Sequence, residues 1–510
     1  MGGRPSFPAK EDVMRLIDEA WGDWDSVRSH FRWQVPEHFN IAQAVCDRHV
    51  GGPETTALFY EHEDGRQEQY SFRDIQRKAN QFANVLVGLG IERGDRVGIV
   101  LPQRPETAIA HLAIYKTGAI AVPLAVLFGT EALRYRLPDC SAKAVIVGAD
   151  DLHKIHEIRD SLESLRKIIL VAGQPGDDEI GFADALAEAS DSFATARTRA
   201  DDPCIIIYTS GTTGNPKGAL HAHRYLLGHL PGFELSHNFF PQSGDLCWTA
   251  ADWAWIGGLM DLLMPSWFYG KPVVAYRGRK FDPEQTLALL ARHGIRNIFM
   301  PPSGLKMLRQ VDRVKERFGV KLRTIMSGGE ALGTEVLNWA REQFDVAINE
   351  IYGQTEVNYV VGNCARIMEV RPGSMGKPYP GHIVDIIDAD GNALPRAALK
   401  IVLPERDQLF IARGRASLLT IDFDLEASHT VDVVPTPALA TSEPFIVAEI
   451  DPVDSKDIRV RGRLIEVNET DMWYAVRVRP FHDHANDFGR MKVNVTDETE
   501  FEVNDEPYKG

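Results

Sequence analysis

The chain has 510 residues, 44% hydrophobic and 25% charged, the balance of a globular protein with well-filled cores and a length sufficient for about three domains. Its net charge of −16 leaves no basic face for counterion release, so a nucleic-acid partner is not expected. No membrane partner is expected either, because the most apolar long run, residues 108–128, is interrupted by His111, Tyr115 and Lys116, whereas a span needs about 20 apolar residues. The amino-terminal MGGRPSFPAKEDVMRLIDEAW has no apolar core of the signal-peptide kind. Cys46, Cys140, Cys204, Cys247 and Cys364 show no metal-ligand spacing and read as reduced buried thiols, which points to a cytoplasmic protein.

In chain order, Ser71 and Asp74 form a capping box. Ile75, Ala79, Phe82, Leu86 and Leu89 then recur at helical spacing, and Gly90 stops the helix. A strand at 96–101, a helix at 105–117 and an apolar run at 119–124 follow. Further strands read at 144–147, 167–171, 205–208, 273–276, 297–300 and 322–326. Helices open at Asp282-Pro283 and at Gly333-Thr334. Strands alternating with helices imply parallel sheets covered on both faces, and this much chain requires more than one. After about Pro395 short β patterns take over, among them IRVRGRLIEV, YAVRVRPF, MKVNV and TEFEV. Val434-Pro-Thr-Pro437 reads as a linker between two groups of them. Residues 395–510 carry 14 Lys and Arg against 22 Asp and Glu, and short strands without helices predict a small barrel or sandwich.

The strand at 205–208 runs into Thr209, Ser210, Gly211, Thr212, Thr213 and Gly214, then Pro216 and Lys217. Small residues let backbone N–H groups approach an anion, hydroxyls add donors, and Lys217 adds a positive charge. A helix expected from about Ala219 points its N-terminus at the same place. The spacing differs from GxxxxGK[ST], so kinases and GTPases of the common P-loop type are poor matches. The bland alternative is a surface turn. Six small residues between a buried strand and a helix, with Pro-Lys-Gly attached, argue against it.

The stretch YTSGTTGNPKG resembles the signature of the adenylate-forming superfamily of acyl-CoA synthetases, luciferases and peptide-synthetase adenylation domains. Lys116-Thr-Gly-Ala119, Ser327-Gly-Gly-Glu-Ala331, Asn349-Glu-Ile-Tyr-Gly-Gln-Thr-Glu356 and Met375-Gly-Lys-Pro378 resemble its other motifs, in the family's order. The resemblance implies an α/β body of two packed doubly wound sheets over residues 1–394, with a third β subdomain that starts near residue 371 and is cut short. Residues 395–437 then read as a transition and linker, and 438–510 as a small all-β domain of unknown function. It further implies activation of a carboxylic acid by ATP to an acyl-adenylate and transfer to coenzyme A, with Mg²⁺ as cofactor. Thr209, Ser210, Thr212, Thr213 and Lys217, with Gly211 and Gly214, would hold the β- and γ-phosphates. Thr355 would donate to the α-phosphate. Glu356 is the hard oxygen ligand suited to Mg²⁺. Tyr352, with Gly353 beside it, would stack beside adenine, and Gly328, Gly329, Glu330 and Ala331 would let the purine lie on bare backbone. Singly, Glu356 would read as a solvated carboxylate and Tyr352 as a core aromatic.

Ala251-Asp-Trp-Ala-Trp-Ile-Gly-Gly258 resembles the segment lining the acyl pocket, in the form found in acetyl, medium-chain and aryl CoA synthetases. It implies a pocket bounded by Trp253 and Trp255, with Gly257 and Gly258 leaving room for a chain; for either tryptophan alone, core packing is the equal alternative. His221 and His223 read as a polar pair at a helix start, with no chemistry assigned. Past Pro395 the family's Thr-Gly-Asp, its Arg-bearing hinge and its late lysine are not found, so weak turnover is expected. Two other readings stand beside the ligase: a catalytically degenerate nucleotide or acyl-adenylate binder, and the product of a rearranged gene. The residues His482, Asp483, His484 and Asp487 read as a solvated hairpin loop rather than a metal cluster.

Overall fold

The structure, a computed structural model, describes residues 15–209, 215–276, 278, 280–357 and 359–385. It also describes seven strands nearer the carboxyl end: His429–Asp432, Leu439–Ser442, Gly462–Asn468, Trp473–Val478, Arg490–Asn494, Glu502–Val503 and Glu506–Pro507. The chain divides into two compact units, residues 1–385 and 386–510.

In the first unit the strands, in chain order, are β1 (Thr56–Glu61), β2 (Gln67–Ser71), β3 (Arg96–Val100), β4 (Ile120–Pro123), β5 (Ala144–Gly148), β6 (Lys167–Val171), β7 (Glu179–Gly181) and β8 (Pro203–Thr209). They continue as β9 (Lys217–Ala222), β10 (Cys247–Thr249), β11 (Val273–Tyr276), β12 (Asn297–Phe299), β13 (Thr324–Gly328), β14 (Ile348–Tyr352), β15 (Val361–Gly362) and β16 (Lys377–Pro378). Seven form one sheet in the order β7-β6-β5-β3-β4-β8-β9. Nine form another, β16-β15-β14-β13-β12-β10-β11-β1-β2. Pairing is parallel except at the margins, where β9, β2, β15 and β16 run antiparallel to their neighbours. The expected pair of helix-covered parallel sheets is therefore present.

The helix Phe72–Gly88 starts at the predicted box, in which Ser71 and Asp74 satisfy each other's backbone N–H groups. The helix Pro105–Thr117 has proline in its first turn and ends on Gly118 at φ 77°, the left-handed stop that glycine adopts without strain. This second helix is buried nearly all round, and even Lys116 is enclosed, with its ammonium 2.5 and 2.6 Å from the two Asp47 oxygens. The reason is layering. One core joins Ile109, Phe82 and Leu86 to residues of both sheets, such as Ile99 and Leu58. A second packs Leu287, Leu305 and Trp339 on the nine-stranded sheet, and a third packs Leu133, Leu137 and Ile155 on the seven-stranded one.

Two expectations need correction. No helix begins at Ala219: residues 217–222 form β9, paired with β8 from Thr209↔Lys217 to Pro203↔Ala222, and the helix Tyr225–Ser236 starts only afterwards. The ladder with β8 claims those backbone groups, and tertiary pairing overrides local pattern. The sheet-forming chain also starts earlier than the Ser71 capping box at which the strands and helices above were read to begin, because β1 and β2 form a hairpin that joins the nine-stranded sheet through β1 and β11. That partner lies over 200 residues downstream, beyond the reach of local pattern.

In the second unit, Gly462–Asn468, Trp473–Val478 and Arg490–Asn494 form an antiparallel meander that overlaps three of the predicted β patterns. The strands His429–Asp432 and Leu439–Ser442 pair with each other, so Val434-Pro-Thr-Pro437 falls between two partners of one ladder. The residues His482, Asp483, His484 and Asp487 lie outside the described residues. Among the described residues no helix is long and apolar enough to cross a membrane.

Candidate functional site

The β8–β9 hairpin sets the ends of the predicted phosphate loop. Thr209 lies directly across from Lys217, and its hydroxyl donates to the Lys217 carbonyl at 3.4 Å. Lys217 is exposed. Ser210, Gly211, Thr212, Thr213 and Gly214 lie outside the described residues. The base of the hairpin is fixed from below: the buried Tyr208 hydroxyl donates to Asp139 at 2.5 Å and to the Arg136 carbonyl at 3.1 Å. Gly218 stands opposite Tyr208, where a Cβ would come within 2.7 Å of Ile206, so the strand leaving the loop lies flat on its neighbour.

The Gly328–Ala331 turn, expected to take a purine, and the Thr355–Glu356 turn follow adjacent parallel strands. β13 ends at Gly328, opposite Ile351 of β14, and both segments leave at the carboxyl end of their strands, where open α/β sheets place ligands. Gly329 has φ 92°, a conformation that ordinary side chains resist, and Glu330 and Ala331 are exposed after it. Beyond Tyr352 and Gly353, the Gln354 and Val357 backbones exchange hydrogen bonds at 3.0 and 3.2 Å and close a tight turn. Thr355 is half-buried and Glu356 exposed on that turn. Behind it, the Asn349 amide donates to the Ser236 carbonyl at 2.7 Å and to the Asn238 side chain at 3.0 Å, anchoring β14. Burial pushes the Glu350 carboxyl up to about 7, against the opposing pull of the Leu332 N–H.

The phosphate hairpin and the Thr355 turn are joined by residues to which the sequence reading gave no role. The Tyr225 hydroxyl donates to the Thr355 carbonyl at 2.7 Å. Its ring stacks on His221 of β9 at 3.8 Å and 6°. His221 is thus a buried strand residue rather than part of a helix start. His223 is buried as well, its Nδ1 accepting the Ile41 N–H at 3.2 Å. Burial pulls both imidazoles down to about 4, so they are neutral near pH 7. The i, i+4 spacing of Tyr225 and His229 was an available signal, whereas His221 lies on the preceding strand and no helical spacing points to it.

The segment after β10 separates its two tryptophans. Trp253 is fully buried, whereas Trp255 is 38% exposed and meets Phe128 edge-on at 5.6 Å. Gly257 does not leave open space: a Cβ there would lie 2.6 Å from the Phe299 ring, and one on Gly258 would lie 2.4 Å from the Asp252 carbonyl oxygen. Those glycines admit protein atoms. Gln103, which follows β3, donates to the carbonyls of Thr249 at 3.0 Å and Ala251 at 2.6 Å and so fastens this segment to the other sheet. A cavity of about 440 Å³ beside it is lined by Gln103, Trp248, Asp252, Tyr276 and Lys280, among others. Burial raises the Asp252 carboxyl to about 6, although the N–H groups of Ala254 and Trp253 oppose this.

Known proteins resemble this chain in sequence and in fold. The human mitochondrial acyl-coenzyme A synthetase ACSM4 is 32% identical over 370 residues, which cover 71% of this chain and 63% of that protein. Rat mitochondrial acyl-coenzyme A synthetase ACSM3 is 28% identical over 394 residues, 76% of this chain and 67% of its own length. The chain thus spans less than two thirds of the length of the ACSM4 relatives it matches. Among solved structures, a Brucella canis acyl-CoA synthetase superposes with a TM-score of 0.68 at 26% identity, over 73% of this chain and 69% of that one. The anthranilate CoA ligase AuaEII in complex with anthranoyl-AMP gives 0.65 at 28%, over 71% and 68%. ATP-bound MatB from Rhodopseudomonas palustris gives 0.60 at 27%, over 70% and 68%. The AMP-binding enzyme family matches residues 47–398, more than two thirds of the sequence, and this chain belongs to that family.

Proposed function

We propose that the chain joins a small carboxylic acid to ATP, giving an acyl-adenylate and pyrophosphate, and passes the acyl group to the thiol of coenzyme A with release of AMP. The observation that carries this reading is the convergence of three motifs. The purine turn after β13 and the Thr355–Glu356 turn after β14 follow the carboxyl ends of adjacent strands, and Tyr225 ties the second of them to the helix that follows the phosphate hairpin. The family membership and the names of the relatives support it.

In this reading the acid's carboxylate oxygen attacks the α-phosphorus, a P–O bond forms, and the bond to the β-phosphate oxygen breaks. Lys217, Thr209 and the loop residues Ser210, Gly211, Thr212, Thr213 and Gly214 hold the β- and γ-phosphates that leave. Thr355 donates to the α-phosphate. Tyr352 and Gly353, with Gly328, Gly329, Glu330 and Ala331, bracket the purine. Fixed donors aimed at developing charge supply most of such a rate enhancement. Mg²⁺ fits the donors available: Glu356 is an exposed carboxylate, and Mg²⁺ is commonly held by one or two carboxylates plus substrate phosphates. When bound, it neutralises charge on the leaving pyrophosphate. Trp253, Trp255 and Gly257 belong to the segment on the acid side, and the neighbouring cavity has the volume of a small-molecule site. Residues 395–510 are read as a β module, in which the expected linker segment Val434-Pro-Thr-Pro437 falls between the paired strands His429–Asp432 and Leu439–Ser442. A cytoplasmic location rests on five buried unpaired cysteines.

The test is ATP–pyrophosphate exchange with acetate, butyrate, octanoate and benzoate as probes. Carboxylate-dependent exchange is expected, falling about 10²–10³-fold in Lys217→Ala and in Glu356→Ala. Binding of a non-hydrolysable acyl-adenylate without exchange above the Lys217→Ala background would instead mark a degenerate binder and overturn the ligase reading.

A further inference from the structure

The helix Tyr225–Ser236 begins three residues after β9, the strand that carries Lys217. Its first residue sits where two candidate elements meet. The Tyr225 ring lies flat on His221, four residues earlier on β9, and meets the edge of His229, four residues later, at 4.4 Å and 86°. The His229 Nδ1 faces the Tyr225 carbonyl at 2.8 Å, so that nitrogen carries the proton and donates. The ring is thus held on two sides and at its backbone, which leaves the hydroxyl one direction, toward the Thr355 carbonyl at 2.7 Å. Burial raises the phenol far above its ordinary value, with Asp261 and Glu356 adding to the effect, so the hydroxyl stays a donor at working pH. Burial also brings His229 down to about 3 and His221 to about 4, so both imidazoles are neutral near pH 7.

We propose that Tyr225 is a positioning residue that fixes the Thr355–Glu356 turn against the strand bearing Lys217, and thereby sets where Glu356 presents its carboxylate. The inference rests on the reading of Glu356 as the Mg²⁺-side ligand, and it goes beyond that reading by naming the group that holds the turn. A carbonyl one residue before the carboxylate is a short lever, because rotation of that peptide swings the Glu356 side chain directly. The hydroxyl contributes what a neutral buried hydrogen bond contributes, and its removal leaves the Thr355 carbonyl short of a donor.

The test uses the full chain and reads ATP binding by calorimetry across a Mg²⁺ series, with pyrophosphate exchange alongside. Tyr225→Phe keeps the ring and both histidine contacts and removes one O–H. The expected result is a rise of about fivefold in half-saturating Mg²⁺ and a fall of about tenfold in exchange turnover, with KM for ATP changed by less than about twofold, as the loss of one buried hydrogen bond allows. A purely structural role would lower the melting temperature and leave the Mg²⁺ half-saturation alone, and that outcome overturns the proposal. p-Aminophenylalanine at position 225 restores a donor and should restore the Mg²⁺ response. If Tyr225→Phe does not fold, this variant decides, since a shifted Mg²⁺ response despite the retained donor also overturns the proposal. Glu356→Ala separates the two ideas. If it binds ATP with wild-type Mg²⁺ dependence, the reading of the site fails; if it shifts and Tyr225→Phe does not, only the positioning role fails.

Discussion

Gly328 and Ile351 face each other across the β13–β14 ladder so closely that a methyl group on residue 328 would lie 2.6 Å from the Ile351 side chain and 2.7 Å from its carbonyl oxygen. The side chain can turn away, but the backbone oxygen cannot without disturbing the ladder. The two strands that carry the purine turn and the Thr355 turn are therefore spaced by the absence of a side chain.

Gly328→Ala should accordingly cost about 1–3 kcal/mol, the usual penalty of overpacking. It should weaken ATP binding further, because both turns move with the strands. Denaturant unfolding and ATP titration check this. A variant as stable and as tight-binding as wild type would show that the strands yield freely.

The two tryptophans of the 251–258 segment should behave differently. Trp253 is fully buried, and Trp253→Ala should cost about 3–5 kcal/mol, the range for a large aromatic in a core. Trp255 is 38% exposed, with one aromatic neighbour. Trp255→Ala should change stability by less than about 1 kcal/mol while altering the relative exchange rates with butyrate, octanoate and benzoate. Equal losses of stability in both variants would contradict the separation.

Glu350 gives a pH prediction with a definite sign. Burial raises its carboxyl from 4.5 to about 7, so between these values the native state holds a proton that the unfolded chain has released. Stability from this group is fully present below about pH 4.5, declines as pH rises to about 7, and is level above. Glu350→Gln keeps the neutral shape and should remove that decline, raising stability at pH 8 by up to about 3 kcal/mol. Unfolding midpoints at pH 5 and pH 8 for both proteins test it. A mutant that loses as much stability as wild type over that range would place the titration elsewhere.

Trp24 links the amino-terminal segment to the far end of the first unit. Its indole N–H donates to the Pro378 carbonyl at 3.2 Å, its ring meets Tyr379 at 5.8 Å, and Trp33 donates to the Gly381 carbonyl at 3.1 Å. Trp24→Ala should cost about 3–5 kcal/mol and loosen the 377–382 segment, speeding exchange of its backbone amides. Hydrogen–deuterium exchange followed by mass spectrometry measures this, with an unchanged exchange pattern as the contrary result.

Most of the first unit's strands and helices were legible because they satisfy local rules. The capping box at Ser71 and Asp74, the proline starts at 105 and 283, and the apolar strand runs each encode their element within a few residues. β1 and β2 were not legible, since their exposed-and-buried pattern gains meaning only beside β11. β9 was misread as a helix start for the same reason: its partner β8 lies across the phosphate loop, and the pairing decides the conformation.

The sequence by itself determined the order and spacing of the motifs that resemble those of the adenylate-forming family, because each is a short contiguous run of residues such as Thr209 to Lys217. Tertiary structure alone decided which of those motifs meet and what holds them. The Tyr225 hydroxyl reaches Thr355 across 130 positions, and Phe299 takes the space beside Gly257 across 42 positions. Contacts of this kind depend on the layering of two sheets around shared helices, a global minimum of packing that no short stretch of residues encodes.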